Sequence, residues 1–181
     1  MHELEIELVD GDPRYGVPVK GIGKIVAIGT SLGDAGEVID CTGLDVLPGC
    51  IDSQVHFREP GLEWKEDLET GSRAAALGGV VAVFEMPNTN PNTTDPATLE
   101  DKLARARDRM WTDHAFYIGG THENAKYLAE LERLPGCCGV KVFMGASTGN
   151  MLVDDPQVLE RLFAEEPTLL LAHCEHTPSI E

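Results

Sequence analysis

The stretch that decides the fold is residues 47–61, LPGCIDSQVHFREPG. It begins as an apolar run, as a buried strand does, and ends in polar residues that a buried strand cannot leave unpaired. Because side chains two residues apart on a strand point the same way, Asp52, Gln54 and His56 are expected on one face, with Arg58 just beyond it. These groups lose too much hydration by converging unless they bind something. The stretch therefore predicts a strand that leads into a binding site, and the alternative is a polar loop.

Composition predicts a globular protein. The 181 residues have the length of one domain, and the apolar fraction of 42% and charged fraction of 25% are typical of soluble proteins. No apolar run reaches the ~18–20 residues needed to cross a bilayer. The first residues, MHELE, lack the basic and apolar segments of a signal peptide. We therefore expect a cytoplasmic protein that does not enter a membrane.

The net charge indicates which partners are not expected, and the cysteine content indicates the redox state of the thiols. The chain has 14 Lys and Arg residues against 31 Asp and Glu residues, a formal net charge of −17. Nucleic acids and anionic membranes select basic surfaces, so neither is expected as a partner. The five cysteines are odd in number and lack metal-ligand spacing. Reduced, mostly buried thiols are expected, in agreement with a cytoplasmic location.

Residues 1–46 are typical of a small β-sheet module. Residues 3–9 alternate leucine or isoleucine with glutamate, the pattern of a half-buried strand. Further strands are expected at 24–28 and 37–39, between glycine-rich turns.

In residues 47–181 strands alternate with helices, which predicts a series of βα units. Further strands are expected at 80–84, 114–118, 139–144 and 168–172. Helices are expected at 65–77, at 123–134 and after Asp95 and Asp155, each of which is an N-cap followed by proline. The run at 80–84 is apolar throughout, as in a parallel strand buried on both faces. The side chains expected to face the core from the two Asp-Pro helices are Leu99, Leu103, Met110, Val158, Leu159, Leu162 and Phe163.

Polar groups at the predicted strand ends decide between two architectures, a doubly wound open sheet and a (β/α)8 barrel. In a barrel the carboxyl ends of the strands converge on one mouth, whereas in an open sheet they spread along an edge. We therefore predict an α/β fold, an incomplete (β/α)8 TIM barrel of about five strands, and expect the N-terminal part of a longer protein. The groups concerned are His56, Asn88, Thr121, His122, Lys141 and His173.

Three motifs resemble one known family. The stretch at 47–61, the segment EMPNTNP at 85–91 and the segment GVKVFMG at 139–145 are similar to dihydroorotases, which belong to the amidohydrolase superfamily. This resemblance implies metal-dependent hydrolysis on a (β/α)8 barrel, with residues 1–46 as part of a flanking β-sandwich. The family has His-x-His in the first strand, where this chain has Gln54 and His56.

The resemblance also implies a metal centre with one or two divalent ions, expected to be Zn2+. Its ligands would be His56, His173 and Lys141, the last carboxylated to a carbamate that bridges two metals. Gln54 replaces the usual histidine, and because an amide oxygen is a weaker zinc ligand than imidazole, one metal is expected to bind weakly. Glu175 and His176 are expected to orient a ligand. The segment 145–154 is expected to be a mobile loop or a plain turn.

By the same resemblance, Arg58 and Asn88 would hold the carboxylate of dihydroorotate, as a guanidinium fork and an amide can. The implied reaction is the reversible interconversion of N-carbamoyl-L-aspartate and L-dihydroorotate in pyrimidine biosynthesis, by a protein that is homo-oligomeric at full length. A catalytic Asp and a further His are expected on later strands, so the 181 residues alone are expected to be inactive. The alternatives are a non-catalytic scaffold for another pyrimidine enzyme and an allantoinase- or hydantoinase-type hydrolase. Allantoinases share residues 59–61 but usually lack the combination of Arg58 and Asn88.

Overall fold

Two segments, Met1–Pro48 and Gly49–Glu181, form separate compact units. The computed structural model describes residues 5–8, 25–29, 39–145, 151–164 and 169–180. In the first unit β1 (Glu5–Leu8) pairs antiparallel with β2 (Ile25–Gly29), which confirms the first two predicted strands. Most of the third predicted strand lies outside the described residues, and Ile39, which is described, is not in a strand.

The second unit contains a sheet of five parallel strands in chain order, β3-β4-β5-β6-β7. Each strand pairs with the next one along the chain, as in a (β/α) barrel, so the sheet forms a half-barrel. The predicted incomplete barrel is confirmed. The strands are β3 (Cys50–Val55), β4 (Val80–Glu85), β5 (Asp113–Gly119), β6 (Cys137–Phe143) and β7 (Leu170–His173).

The helices begin where the sequence supplies caps. Asp67 accepts a hydrogen bond from the Thr70 N–H at 2.8 Å, and Asp95 forms a reciprocal capping box with Thr98. The first of these helices ends against Gly78, as predicted. The helices are α1 (Leu68–Leu77), α2 (Pro96–Ala106), α3 (Leu128–Leu131), α4 (Pro156–Ala164) and α5 (Thr177–Ile180). No helix in the described ranges is long and apolar enough to cross a membrane.

The helix predicted at 123–134 is confirmed only over its middle part. A short 3₁₀ turn, Ala125–Tyr127, precedes the four-residue α3. The Asn124 side chain accepts from the Thr121 N–H at 2.8 Å and donates to the Gly119 carbonyl at 2.8 Å. These bonds hold the backbone in a turn, because asparagine offers it an alternative to helical hydrogen bonding.

The core of the second unit lies between the sheet and helices α1, α2 and α4, around Leu68, Val83, Leu99, Phe116 and Leu162. Three burial predictions are wrong. β4 is not buried on both faces, because Val81 is 45% exposed, and Phe163 is 53% exposed because it follows the buried Leu162 around the helix. The thiols are not mostly buried either, because Cys50 and Cys174 are exposed on or beside the two edge strands.

Candidate functional site

Parallel pairing brings the predicted site residues to one end of the sheet. Val55 of β3 lies opposite Glu85 of β4, and Phe143 of β6 lies opposite His173 of β7. His56 follows the end of β3 directly, while His173 is the last residue of β7. The carboxyl end of a parallel barrel sheet is the end where active sites are built.

His56 is held as a neutral imidazole beside Asn88. Burial and then the positive charge of Arg58 lower the pKa of His56 to about 4, although a hydrogen bond with Asn88 opposes the shift. The charge of Lys141 contributes to the same lowering of the pKa. Nδ1 of His56 is buried and has no hydrogen-bond partner among the described residues. The ring is therefore a neutral nitrogen donor with one atom that is available to bind.

Lys141 is only 2% exposed although it carries an amine. Nζ lies 4.9 Å from the centroid of the Phe143 ring, and the described residues provide it with no carboxylate partner. Burial lowers the pKa of Lys141. A buried ammonium without a counter-charge is unfavourable, so the neutral amine is more accessible here than in an exposed lysine.

Phe143 joins Lys141 to His173. Its ring stacks on the His173 ring with centroids 5.9 Å apart and an interplanar angle of 29°. Nε2 of His173 lies 2.9 Å from the Glu175 carboxylate, the contact expected of an orienting residue. His176 contacts Ser179 instead.

We call His56, Asn88, Lys141 and His173 the strand-end cluster. Of the other predicted site residues, Arg58 lies on its loop side and Gln54 lies outside it. Arg58 is half-buried and adopts a left-handed backbone with φ of 64°, and its charge acts on His56. Gln54 is exposed on the edge strand β3, and its N–H donates to the Asp52 carboxylate at 3.0 Å. The structure therefore groups His56 with Asn88 and Arg58, and groups Lys141 with His173, but it does not bring Gln54 into either group.

The loops that carry Arg58 and Asn88 pack directly on each other. The Asn90 N–H donates to the Pro60 carbonyl at 2.9 Å. Gly61, with φ of +87°, lies so close to Asn90 that an added Cβ would come within 2.1 Å of its carbonyl oxygen. Only glycine fits such an approach.

Sequence reasoning missed two buried carboxylates that organise these loops. Glu85 is 1% exposed and pairs with Lys102 of α2. Glu59 is 3% exposed, accepts from Arg109 at 2.7 Å and 3.1 Å, and accepts from the Leu68 N–H at 3.1 Å. A signal for the first pair was present, because Lys102 shares the helical spacing of the buried Leu99 and Ala106.

Segment 145–154 falls partly outside the described residues. Beyond the gap, Met151 and Val153 are buried, and the Val153 N–H donates to the Phe143 carbonyl at 2.8 Å. The far end of this segment therefore returns to β6, beside the Lys141–Phe143 pair.

The donors present fit a divalent metal in part. Imidazole is a favoured zinc ligand, and the free, buried Nδ1 of His56 provides one. A neutral, buried Lys141 can react with carbon dioxide to give an anionic oxygen donor, which removes the misfit of an ammonium next to a cation. The described residues contain no group of three or more His, Cys, Asp or Glu side chains that could hold an ion. His56, Lys141 and His173 would hold a metal only with the lysine modified or with further ligands.

A parallel half-barrel with imidazole, amine and amide groups at its carboxyl edge is typical of the (β/α)-barrel class of proteins, which build their active sites at that edge. The family model described as dihydro-orotase-like matches residues 43–133, half of the chain, and the chain belongs to that family.

Relatives and solved structures agree with this assignment. Allantoinases of Escherichia coli are 44% identical over 154 residues, which cover 84% of this chain and 32% of theirs. The structure of L-hydantoinase (dihydropyrimidinase) from Arthrobacter aurescens has a TM-score of 0.71 at 31% identity and covers 78% of this chain and 32% of that one. A dihydropyrimidinase from Brevibacillus agri has a TM-score of 0.69 at 27% identity and covers 84% of this chain and 35% of that one. The chain spans about a third of the length of these relatives, which are cyclic amide hydrolases.

The predicted superfamily is therefore confirmed, and the named alternative of an allantoinase- or hydantoinase-type hydrolase is supported. Dihydroorotase itself is not confirmed and stays a prediction. The zinc ions, the carboxylated lysine, the cytoplasmic location and the homo-oligomer also stay predictions.

Proposed function

We propose that the complete protein opens the ring of a cyclic ureide by hydrolysis, with allantoin as its substrate. The observation that carries this proposal is the 44% identity to allantoinases across 84% of the chain. The strand-end cluster supports it, because a neutral imidazole and a buried amine lie where a barrel hydrolase binds its substrate.

The chain's own residues would prepare the centre in two ways. His56 keeps a neutral nitrogen lone pair at neutral pH, since its pKa is lowered to about 4. Lys141, as a neutral amine, would add to carbon dioxide, form a carbamate and release one proton. A divalent ion held by these groups and His173 would supply Lewis acidity toward the ring carbonyl.

Arg58 and Asn88 would bind the substrate on the loop side. Hydrolysis of the ring amide breaks its C–N bond, leaves a carboxylate on carbon and returns a proton to nitrogen. A guanidinium fork holds such a carboxylate well, and an amide donates to the neighbouring carbonyl. Arg58 therefore suits the product of any ring-opening amidohydrolase, so its presence does not select a substrate that is itself an acid.

Dihydroorotate is the second candidate. The dihydro-orotase-like family model supports it, as do Arg58 and Asn88, which would hold the carboxylate that this substrate carries before ring opening. Allantoin lacks such a carboxylate, so the two substrates make different demands on Arg58 in the ground state.

The test is a substrate comparison with the complete gene product that contains these residues. Allantoin, dihydroorotate and hydantoin are each assayed, together with the metal content of the purified protein. We expect allantoin to give a kcat/KM at least about tenfold higher than the others, equivalent to ~1.4 kcal/mol of transition-state stabilisation. A preference for dihydroorotate would replace the proposal with the second candidate. No turnover and no bound metal would favour the non-catalytic scaffold.

A further inference from the structure

Lys102 is a fully buried lysine outside the strand-end cluster. It lies on α2, 0% exposed, and its Nζ pairs with the Glu85 carboxylate at the end of β4. The same Nζ donates to the Met86 carbonyl at 2.9 Å and lies 5.3 Å from the centroid of the Phe116 ring. All these partners belong to the sheet or to the segment directly after β4.

The two contacts of Lys102 reach both loops of the candidate substrate site. The backbone N–H of Arg58 acts on the Glu85 carboxylate and opposes the rise of its pKa, and Arg58 has a left-handed conformation that is uncommon for a residue other than glycine. Met86 lies two residues before Asn88, and its own N–H donates to the Val55 carbonyl at 3.0 Å. One ammonium group thus connects α2 to the segments that carry Arg58 and Asn88.

A gain in folding stability does not account for the buried Lys102–Glu85 pair. Two buried charges lose their hydration, and apolar residues of similar volume are often as stabilising or more so. Burial raises the pKa of Glu85 to about 7 and lowers that of Lys102, while each partner opposes the shift of the other. The hydrogen bond between them survives whichever group carries the proton.

We propose that Lys102 is a positioning residue, which holds the Arg58 and Asn88 loops in one arrangement through Glu85 and the Met86 carbonyl. The inference rests on the proposed function for the roles of Arg58 and Asn88. If Lys102 has this role, the Lys102–Glu85 pair contributes more to substrate affinity than to the stability of the folded protein.

Two double variants of the complete protein separate the two connections. Lys102→Met with Glu85→Met removes both, whereas Lys102→Met with Glu85→Gln keeps an oxygen that can accept from the Arg58 N–H. Asp101→Asn is the matched control, because it removes only the largely exposed 2.7 Å ion pair with Arg105 on the same helix and leaves the contact of Arg105 with Glu59 in place. The readouts are hydrogen exchange of backbone amides, the thermal midpoint of unfolding, and kcat and KM for the substrate found.

In the Met/Met variant we expect exchange at the Arg58 amide and at residues 86–90 to be faster by about tenfold, the effect of losing one hydrogen bond of ordinary strength. The Met/Gln variant should speed exchange at 86–90 but protect Arg58 more than Met/Met does. KM should rise about tenfold with a smaller change in kcat, and the control should match the wild type.

Unchanged exchange in both loops of folded variants would overturn the proposal, as would a lower kcat at unchanged KM, the mark of a smaller folded fraction. If one double variant does not fold, hydrogen exchange at residues 86–90 in the other variant still tests the proposal. If the wild-type protein turns over no cyclic amide, the proposed function fails, and the exchange data still decide whether Lys102 orders these loops.

Discussion

Lys102 and Lys141 are both buried lysines, and their surroundings give them different roles. Lys102 has a carboxylate and a carbonyl as partners, whereas Nζ of Lys141 lies against the face of Phe143. Burial lowers the pKa of both amines, but only Lys102 has a carboxylate that opposes the shift. Lys141 is therefore the amine that is chemically available, and Lys102 is the one engaged in structure.

This difference predicts the site of carbamate formation. The complete protein, equilibrated with 13C-bicarbonate, should show a carbamate carbon resonance by NMR, because a neutral amine is the form that adds carbon dioxide. The resonance should be absent in Lys141→Met. The exposed Lys65 provides the control, and Lys65→Met should keep the signal. A resonance that survives in Lys141→Met would place the reactive amine elsewhere.

Leu162 and Phe163 are neighbours on α4 with opposite environments, 0% and 53% exposed. Leu162→Ala should lower the free energy of unfolding by about 2–5 kcal/mol, because it leaves a cavity in the core. Phe163→Ala should lower it by less than about 1 kcal/mol, since most of its surface already meets water. Urea denaturation followed by circular dichroism measures both. Equal losses would mean that Phe163 is packed in solution.

At the scale of elements, the loops after β3 and β4 depend on glycine at position 61. Gly61 and Gly79 have almost the same φ, +87° and +85°. Of the two, only Gly61 has a neighbour, Asn90, that an added Cβ would contact. Gly79→Ala should therefore lower the free energy of unfolding by about 1–2 kcal/mol through backbone strain alone.

Gly61→Ala should lower it by at least about 1 kcal/mol more, because the carbonyl of Asn90 must move. Its KM should also rise, since Asn88 is on the displaced loop. The same denaturation experiment and the substrate assay measure these effects. Indistinguishable stabilities of the two variants would show that the loops do not interlock in this way.

Glu59 connects the loop after β3 to Arg109, which lies three residues beyond α2, and to the start of α1 through the Leu68 N–H. Glu59→Gln should lower the free energy of unfolding by about 1–3 kcal/mol, because a buried charged acceptor is lost. Asp101→Asn removes an exposed ion pair and should change it by less than about 1 kcal/mol. Similar small effects for both would contradict a structural role for Glu59.

The elements that sequence could predict are those with local signals. Asp67 and Asp95 cap helices through contacts within three residues, so α1 and α2 were predictable from the chain alone. The segment around Asn124 was predictable only in part, because its amide adds to the local bonds with Thr121 and Gly119 a bond to the Thr94 carbonyl, 30 residues away. The Lys102–Glu85 pair likewise joins residues 17 apart, and only the spacing of Lys102 on the helix indicated its burial.

At the scale of the whole molecule, the half-barrel has two edge strands, β3 and β7, with thiols on or beside both. Burial raises the pKa of Cys138 to about 12, so very little thiolate forms there at pH 8. Iodoacetamide should label Cys50 and Cys174 in the 181-residue chain at least about tenfold faster than Cys138, as peptide mass spectrometry would show. Equal rates would indicate that β6 is open to solvent.

The barrel could be predicted because βα units and polar strand ends recur along the chain, and the superfamily because three motifs resemble those of dihydroorotases. The substrate could not be predicted from the sequence. Arg58 and Asn88 favoured dihydroorotate in the sequence, whereas allantoinases are among the curated relatives that match, and dihydroorotate stays unconfirmed. A guanidinium recognises a carboxylate whether it belongs to the substrate or forms as the ring opens, so residue type alone does not separate these reactions.

We propose that Lys141, buried beside Phe143 at the carboxyl edge of the sheet, belongs to a hydrolytic centre. The most direct test is kcat/KM for allantoin in the complete protein, for the wild type and for folded Lys141→Met. We expect kcat/KM to fall by at least about 100-fold in Lys141→Met, because a metal-binding group is removed. A Lys141→Met protein that keeps its fold and hydrolyses allantoin at the wild-type rate would contradict it.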